Sequence, residues 1–553
     1  MPEKKQFRAI KGTRDILPPD SSLWNWFEQT AREVLESYNF RDIRLPIFEE
    51  TQLFARSIGA ETDVVSKEMF SFQDHDHRDL ASVLSGLLLW VTPESWATGG
   101  DFLLNSFDDV HSHFEEVRGF AAAFDDLWKA QKVPGTDSND ASRERLSELV
   151  DDMMPQVYHL KQLRSQGMRG GKEMHIEQGI LQELLKTYVP WVGQVNQALQ
   201  AIELGTEVTL RPEATASVCR AYVEHGMHVL PGNRKLFYIG PMFRRERPQK
   251  GRYRQFYQIG AEVLGQSDAP AIDAEVLEML LVFFHRVGLT RTTLYVNSIG
   301  DKECRPKYVE LLREELRKVK DQLGTDSQRR IETNPLRVLD SKLPQEQAII
   351  EKLPRISDHQ CDACREHFAK LKEELKLRNI PYEENWRLVR GLDYYTRTTF
   401  EVTAEGLGSQ NAVCGGGRYD GLVELLGGPP TKGIGFAIGS DRAILSIQEA
   451  GEAHALPGLS VYIAWMSVAC YPAAVAIARK LREAGLSVEL PPEEMKFKKS
   501  LGLADKLGAR YALILGEDEV ASNKFTLKRL ADAEQNKFSE YELLEYLESE
   551  RRG

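Results

Sequence analysis

The first two hundred residues alternate between helical and strand-like patterns. Apolar side chains recur at three- and four-residue steps from Leu23 to Tyr38, which predicts an amphipathic helix. A strand is predicted near Arg44, and the alternating stretches Lys67 to Asp74 and Glu207 to Leu210 are predicted to form the two arms of a hairpin. Residues from about 77 to 204 show helical patterns separated by Pro- and Gly-bearing breaks. We interpret them as a helical insertion within the hairpin.

The helical insertion contains enough aromatic residues for a small core of its own. Its helical patterns cover Asp108 to Lys129, Ser142 to Ser165 and Glu177 to Tyr188. Hairpin tips tolerate additions well, so the rest of the chain is expected to fold around it. A helical core, rather than a dedicated binding surface, is predicted for its aromatic residues: Trp90, Trp96, Phe102, Phe107, Phe114, Phe120, Phe124, Trp128 and Trp191.

The middle of the chain predicts one sheet that is interrupted by a helical block. The early and late strands are expected to complete this sheet around the block. The predicted elements are a helix at Ala216 to His225, strands at Lys235 to Arg244 and Gln255 to Leu264, the charged helical block at Lys302 to Glu384, and Gly-rich strand-like segments from Trp386 to Ile447.

A final unit begins at about Gly458 and alternates strand with helix. That rhythm predicts a small α/β domain with a largely parallel sheet. Its predicted elements are strands at Leu459 to Ala464, Leu486 to Leu490 and Tyr511 to Leu515, and helices at Ala473 to Ala484 and Lys498 to Leu507.

Composition narrows the class of protein. The 553 residues, of which 42% are hydrophobic and 28% charged, with a net charge of -12, indicate a soluble multidomain protein and exclude disordered, collagen-like and disulfide-rich classes. Six cysteines suit a reducing compartment, and the N-terminus lacks the apolar core of a secretory signal, so a cytoplasmic location is expected. The longest apolar stretch, Leu80 to Val91, is too short to span a membrane.

A basic loop between two predicted strands carries the strongest chemical signal. Six cations fall within eleven positions: Arg244, Arg245, Arg247, Lys250, Arg252 and Arg254. A solvated hairpin loop is the alternative interpretation. Because strands fix both ends of the loop, and because an Arg fork makes paired, charge-assisted bonds to phosphate, the loop favours a polyanionic substrate.

Three further segments are candidate binding motifs. Residues Arg387 to Arg397 are predicted to form a strand that runs into a turn at Gly391 and directs Arg390 and Tyr394-Tyr395 into a cleft. The glycines of Cys414 to Asp420 would let the backbone approach a ligand, although a plain turn is also open. Gly433 to Arg442 reads as a strand leading into a helix, where Arg442 either meets a phosphate or lies on the surface.

These segments together resemble the class II aminoacyl-tRNA synthetases. Arg41-Asp-Ile-Arg-Leu-Pro46, Phe243-Arg-Arg-Glu-Arg-Pro248 and Gly435-Phe-Ala-Ile-Gly-Ser-Asp-Arg442 are similar to motifs 1, 2 and 3 of that class. Leu388-Val-Arg-Gly-Leu-Asp-Tyr-Tyr395 and Gly415-Gly-Gly-Arg-Tyr-Asp420 resemble the two signatures of histidyl-tRNA synthetases. The resemblance covers nearly everything except about 77–204.

The resemblance implies an α+β class II catalytic core, an antiparallel six-stranded sheet flanked by helices, with helical insertions and a C-terminal α/β anticodon-binding domain. The implied division is catalytic core in 1–76, 205–301 and 386–450, helical insertions in 77–204 and 302–385, and an anticodon-binding domain in 458–553.

The resemblance also implies roles for individual residues. Arg390, Arg244 and Arg442 would be catalytic and would bind ATP together with Arg252. Contacts to the tRNA acceptor stem would come from Arg245, Arg247 and Lys250. The histidine site would comprise Glu213, Thr215, Gln258, Glu262, Tyr394, Tyr395 and Tyr419.

The activity implied is that of a histidine–tRNA ligase. It would activate L-histidine with ATP and Mg²⁺, without a side-chain nucleophile, and pass the histidyl group to the 3′ end of tRNA(His). The family is homodimeric, with the motif 1 region at the interface. Two alternatives are a catalytically idle regulatory paralogue, which lacks the anticodon domain, and a general RNA-binding module, in which Glu213, Glu262 and Tyr395 make no sense.

Three features depart from the family pattern. Ser440-Asp441 stands where motif 3 carries Leu-Glu, which leaves the metal arrangement open. Cys361, Cys364 and His367 suggest zinc, but without a fourth ligand the alternative is reduced cysteines in a helical hairpin. The insertion is hypothesised to contact tRNA or to cap the site, an idea that a variant joining Asp76 to Gly205 with unaltered kinetics would refute.

Overall fold

The structure is a computed structural model that describes residues 7–59, 62–74, 83, 107–131, 137–167, 173–200, 202, 206–405, 411–451 and 458–552. The chain forms two compact units. One comprises Met1–Asp15 and Ala31–Ala450, and the other comprises Ile16–Thr30 and Gly451–Gly553.

The first unit contains two sheets. The large sheet has the strand order β1-β5-β6-β11-β10-β9-β7-β8, and the small sheet has the order β2-β4-β3. The strands are β1 (Arg41–Asp42), β2 (Phe48–Glu50), β3 (Phe70–Asp74), β4 (Thr206–Leu210), β5 (Arg234–Phe243), β6 (Gln255–Gly265), β7 (Thr292–Ser298), β8 (Glu383–Glu384), β9 (Thr396–Ala404), β10 (Ala412–Arg418) and β11 (Lys432–Gly439).

The inner six strands of the large sheet, from β5 to β7, pair antiparallel throughout. The short edge strands β1 and β8 pair parallel to β5 and β7. The predicted antiparallel six-stranded core is confirmed, as is the closing of one sheet by early and late segments around a helical block.

Helices flank the sheets and fill the segments between them. They are α1 (Asp20–Ser37), α2 (Thr51–Ile58), α3 (Phe107–Gln131), α4 (Asp137–Gly167), α5 (Glu173–Gln200), α6 (Thr215–Glu224), α7 (Pro270–Arg286), α8 (Arg305–Lys318), α9 (Thr325–Thr333), α10 (Pro344–Ile350), α11 (Asp362–Leu377), α12 (Leu422–Leu425) and α13 (Ser440–Ala450). A π-helical turn at Val64–Glu68 precedes β3, so the first hairpin arm begins at Phe70 rather than at Lys67.

The strand predicted near Arg44 is the short β1, which ends at Asp42. Pairing with β5 ends at Ile43, whose amide donates to the Phe237 carbonyl at 2.8 Å. Beyond it, the buried Arg211 guanidinium donates to the carbonyls of Leu45 at 2.9 Å and Pro46 at 3.0 Å. These groups bond to a side chain instead of a neighbouring strand, so the chain runs irregularly until β2.

The described residues of the insertion include three helices that pack on one another around a core of their own. Trp128, Trp191, Phe114 and Phe124 are buried in it, with Phe120 packed against it, which confirms the predicted helical core for these residues. The indole N–H of Trp191 donates to the Leu149 carbonyl at 2.6 Å. Trp90, Trp96, Phe102 and the side chain of Phe107 lie outside the described residues.

The segment between β8 and β9 corrects the strand predicted at Arg387 to Arg397. Residues 385–395 form an irregular loop, although Leu388 and Val389 are buried as their apolar character requires. The side-chain amide of Asn297 in β7 donates to the backbone carbonyls of Trp386 and Leu388, at 3.2 and 3.0 Å. These two backbone carbonyls therefore have hydrogen-bond partners without a neighbouring strand.

The second unit contains a five-stranded sheet of order β13-β12-β14-β15-β16. The prediction of a largely parallel sheet holds for β12, β13 and β14 only, since β15 and β16 add an antiparallel hairpin. The elements are β12 (Val461–Trp465), α14 (Tyr471–Glu483), β13 (Val488–Glu489), α15 (Phe497–Lys506), β14 (Tyr511–Leu515), α16 (Glu517–Ser522), β15 (Lys524–Arg529), β16 (Gln535–Ser539) and α17 (Glu540–Arg552).

No helix in the described part of the chain is both long enough and apolar enough to cross a bilayer. The apolar run Leu80 to Val91 lies outside that part, apart from Val83.

Candidate active site

A cleft opens over the middle strands of the large sheet. Strands β5, β6, β9, β10 and β11 supply its floor, and loops around Arg244–Tyr253 and Arg390–Tyr395 supply its walls. Nine of the predicted site residues line it: Glu213, Thr215, Arg244, Arg252, Gln258, Arg390, Tyr394, Tyr395 and Arg442.

Glu262 and Tyr419 lie directly behind the cleft wall. The Glu262 carboxylate is fully buried and accepts hydrogen bonds from the Thr215 and Tyr419 hydroxyls, each at 2.7 Å. Gly435 pairs with Glu262 across β6 and β11, and a Cβ there would lie 1.7 Å from Glu262 Oε2. Burial raises the pKa of Glu262 to about 8, against the opposing effect of the two hydroxyl bonds.

Glu213 is held by the start of α6. Its carboxylate accepts from the backbone amides of Thr215 at 2.7 Å and Ala216 at 3.0 Å. The Tyr394 hydroxyl lies 3.4 Å from the same carboxylate. Burial raises the pKa of Glu213, while these amide bonds act in the opposite direction. Two carboxylates with fixed orientations thus lie at one end of the cleft.

Three tyrosines and a glutamine complete this carboxylate end. The rings of Tyr394 and Tyr395 lie 4.7 Å apart between centroids, and Tyr394 meets Tyr419 edge to face at 5.9 Å. Burial raises the pKa of Tyr395 to about 12, so its hydroxyl stays a donor at neutral pH. The side-chain oxygen of Gln258 is buried and has no hydrogen-bond partner among the described residues. This oxygen can accept a hydrogen bond from a ligand.

The opposite end of the cleft is cationic. Arg244 is oriented by a bond from its Nε to the Pro212 carbonyl at 3.0 Å and lies over the Phe256 ring at 5.4 Å. The Nη1 atom of Arg442, near the start of α13, donates to the Ala412 carbonyl at 2.9 Å. Burial lowers the pKa of Arg442, and Arg252 and Arg244 add to that effect. Three guanidinium groups, those of Arg244, Arg252 and Arg442, are therefore gathered at this end.

Arg390 occupies the space between the two ends. Its Nη1 pairs with Glu401 Oε2 at 2.6 Å. A Cβ at Gly415 would lie 2.0 Å from Arg390 Nη2. The glycine run is therefore not a turn: Gly415 lies within β10, lines the cleft and leaves room for this guanidinium.

Asp441 is committed to contacts within the protein. Its carboxylate pairs with Arg14 Nη2 at 2.7 Å and accepts from the Tyr257 amide at 2.9 Å. Burial raises its pKa, opposed by these two partners. The short Asp side chain of motif 3 thus ties α13 to β6 and to the N-terminal segment.

Three predicted contact residues lie on the loop outside the cleft lining. Arg245 and Arg247 are exposed, and the Arg245 guanidinium stacks over Phe70 at 5.3 Å. Lys250 is exposed and pairs with Glu449 at 2.7 Å. The loop turns at Gly251, whose φ of 73° favours glycine. These cations face outward, beside the cleft mouth.

Tyr238, Glu246 and Glu401 are among the cleft residues that sequence reasoning missed. Glu246 pairs with Arg252 at 2.9 Å. Only the cations around it were counted in the sequence, so this carboxylate was given no role. Glu401 stands in an alternating strand, where a Glu normally reads as the solvent face. The half-buried Arg390 could have pointed to a carboxylate such as Glu401, because a buried charge needs a partner.

The chain is similar to proteins of known function over nearly its whole length. Residues 193–443 match the family model described as histidyl-tRNA synthetase, and residues 460–550 match that of an anticodon binding domain. A histidine–tRNA ligase from Koribacter versatilis is 42% identical over 544 residues, which is 98% of this chain and 96% of the relative. One from Solibacter usitatus is 40% identical over 543 residues, covering 98% and 99%.

The solved structures give the same result. The chain is similar to the crystal structure of apo histidyl-tRNA synthetase from S. aureus, with a TM-score of 0.63 and 28% identity over 98% of this chain and 100% of that one. Because the curated relatives align over nearly both whole chains, the insertion at about 77–204 falls within the shared length and is not peculiar to this chain.

Proposed function

Because the chain belongs to the histidyl-tRNA synthetase family, we propose that this one cleft performs both steps of histidine–tRNA ligation. The chain is a histidine–tRNA ligase, an ATP-dependent enzyme with a C-terminal anticodon-binding domain. The carboxylate end, the cationic end and the mouth of the cleft each take one of the three substrates.

The histidine substrate binds at the carboxylate end. The observation that carries this assignment is the fully buried Glu262, whose carboxylate is held by two hydroxyls behind the wall of a tyrosine-lined pocket. An imidazole has two ring nitrogens, one donor and one acceptor when neutral. Glu262 supplies the acceptor, which its carbonyl oxygen keeps when the carboxyl is protonated, and the Tyr395 hydroxyl supplies the donor. Glu213, with Thr215, Gln258, Tyr394 and Tyr419 around it, holds the ammonium end.

ATP binds at the cationic end, so the two substrates meet at Arg390. When the histidine carboxylate attacks the α-phosphorus, both reactants are anionic and charge builds on the phosphoryl oxygens. Arg390 and Arg244 stabilise that charge as preorganised donors. Arg442 holds the γ-phosphate, and Arg252 the neighbouring phosphate oxygens. Pyrophosphate leaves, and histidyl-adenylate remains.

The cleft would hold Mg²⁺ mainly through the phosphates of ATP. Among the described residues, no group of three metal-ligating side chains lies in the cleft, and Asp441 is engaged by Arg14 and Tyr257. Mg²⁺ is commonly held by substrate phosphates and one or two carboxylates. Glu246 and Glu401 are the cleft carboxylates that would share such an ion with their arginine partners Arg252 and Arg390, and the ion would neutralise part of the phosphate charge.

The second step needs the terminal adenosine of tRNA(His) beside the adenylate. The outward-facing cations Arg245, Arg247 and Lys250 lie next to the cleft mouth, where phosphate contacts would position the acceptor stem. The anticodon-binding domain supports tRNA as the partner.

The family also suggests a symmetric homodimer through the motif 1 region. Apolar side chains of the small sheet and its entry, Ile47, Phe48 and Phe72, are 47%, 53% and 49% exposed. Clustered exposed apolar groups of this kind favour a protein interface. Light scattering should give twice the chain mass, and Phe48→Asp should shift it toward one chain mass.

Histidine-dependent exchange of labelled pyrophosphate into ATP tests the function. We expect exchange with histidine only, among all twenty amino acids, and its loss in Glu262→Gln. Glu346→Gln is the matched control, because Glu346 is also fully buried and accepts bonds from Gly324 and Ser327, but lies in the helical block. Absence of exchange in folded wild-type protein would refute the proposal and favour an idle regulatory paralogue.

A further inference from the structure

A cluster of sulfur and oxygen atoms lies outside the active-site cleft. The Sγ atoms of Cys304, Cys361 and Cys364 and a carboxylate oxygen of Asp301 all lie within 4.8 Å of one another. Two of these residues follow β7 and two begin α11, about sixty positions later in the chain. His367, which the sequence suggested as a ligand, is not part of the cluster, because its Nε2 faces the Asp268 carbonyl at 3.0 Å.

The distances inside the cluster match a tetrahedral shell. With a Zn–S bond of about 2.3 Å, two thiolates on one ion lie about 3.8 Å apart, and a thiolate and a carboxylate oxygen about 3.5 Å apart. The Cys304 and Cys364 sulfurs are 3.8 Å apart. Asp301 Oδ1 is 3.5 Å from the Cys304 sulfur and 3.8 Å from the Cys361 sulfur.

The local backbone holds these ligands in place. Asp301 Oδ1 accepts from the amides of Glu303 at 3.0 Å and Cys304 at 3.3 Å, which fixes the carboxylate. Gly300 has a φ of 73°, and a Cβ there would lie 2.8 Å from the Cys304 sulfur. A residue with a side chain at this position would therefore push the sulfur out of the cluster.

The charge of the surroundings suits a metal with anionic ligands. Three thiolates and a carboxylate around a divalent ion leave two net negative charges. Arg397 Nη2 lies 3.7 Å from the other carboxylate oxygen of Asp301, Oδ2. Guanidinium groups at this distance stabilise an anionic shell and orient its carboxylate.

We propose that Asp301, Cys304, Cys361 and Cys364 form a structural zinc site that fastens the helical block to the catalytic sheet. Thiolate ligands select zinc over Mg²⁺ or Ca²⁺, and four protein ligands leave no open position for catalysis. The site joins the turn after β7 to the first residue positions of α11. Arg305, which follows Cys304, donates to the Tyr395 carbonyl, so the same turn also supports the histidine pocket.

Metal analysis of the full-length protein tests the site. After expression with zinc and dialysis against a chelator, the wild type should retain about one zinc ion per chain. Cys361→Ser should retain less than about a tenth of the wild-type zinc content, because Cys361 is a ligand. This variant is chosen because Cys361 is only half-buried, so its replacement disturbs the fold least. Cys470→Ser is the control, since it removes a buried thiol from the other unit.

Cobalt provides a second measurement that needs no variant. Co²⁺-loaded wild type should show thiolate-to-cobalt charge-transfer absorption and the visible bands of a tetrahedral site. Wild type without zinc, equal zinc in Cys361→Ser, or a disulfide between Cys304 and Cys364 in peptides mapped without reductant would each overturn the proposal.

Discussion

Arg390→Lys isolates the role of the guanidinium between the two substrates. One nitrogen of Arg390 pairs with Glu401 at 2.6 Å, and the other lies in the space left by Gly415. A lysine keeps the charge but has a single head group, which can serve Glu401 or a phosphoryl oxygen but not both. Losing one preorganised donor to a developing oxyanion costs about 2.7–4 kcal/mol, or about 10²–10³-fold in kcat.

Pyrophosphate exchange measures the loss in Arg390→Lys, and calorimetric titration measures histidine binding separately. We expect exchange to fall about 10²–10³-fold, while the histidine dissociation constant changes by no more than about twofold, because the imidazole and ammonium contacts are untouched. Arg387→Lys is the matched control: it lies three positions upstream and bonds to Leu339 and Gln347 outside the cleft. Exchange within about threefold of wild type in Arg390→Lys would refute the phosphate role.

Three further predictions concern the glycine run, the buried carboxyl and the insertion. Gly415→Ala should cut pyrophosphate exchange at least about tenfold by displacing the neighbouring guanidinium, with a near-normal melting temperature; unchanged exchange would contradict the geometry. The pKa of Glu262 in the folded protein is raised to about 8, so its contribution to stability is complete below its unfolded value, near 4.5, and is lost as pH rises to about 8. Urea titrations should therefore show a smaller difference in the free energy of unfolding between pH 5 and pH 8 for Glu262→Gln than for wild type. Equal differences would be inconsistent with this pKa. Asp74 and Thr206 are paired at the ends of β3 and β4, so replacing residues 75–205 by an Asn-Gly turn should leave a folded enzyme with wild-type pyrophosphate exchange. Loss of exchange would show that the insertion supports the cleft. A change confined to tRNA charging would show that the insertion acts in the second step.

Two central strands of the catalytic sheet, β5 and β6, could be predicted from the sequence almost to the residue, whereas β7 was not predicted. The predicted strand Lys235 to Arg244 differs from β5 by one residue at each end, and Gln255 to Leu264 differs from β6 by one residue at its end, because long alternating runs bounded by a turn leave few other solutions. Leu388 and Val389 misled the prediction, since two apolar residues fit a buried loop as well as a strand. The hairpin β15–β16 was missed because its charged residues alternate weakly.

The candidate site also contains residues that the sequence predicted and residues that it missed. Residues carried by contiguous motifs, such as Arg390 and Tyr395, were predicted and line the cleft. Glu401 was not predicted because its partner is known only once β9 and the loop before it are placed. Asp301 and Cys304 lie about sixty positions from Cys361, so local spacing could not join them. Contacts between distant segments are set by tertiary packing, which periodicity does not record.

The order of strands in the large sheet has a consequence for synthesis of the chain on the ribosome. Strand β6, which carries Gln258 and Glu262, pairs on one side with β5, made shortly before it, but on the other side with β11, made 167 residues later. At about 5–20 residues per second, its second edge waits roughly 8–33 s for its partner. An unpaired edge is a template for other chains. The nascent chain therefore exposes the floor of its own histidine pocket until the last catalytic strand emerges, and this interval is when a holding chaperone would protect it most.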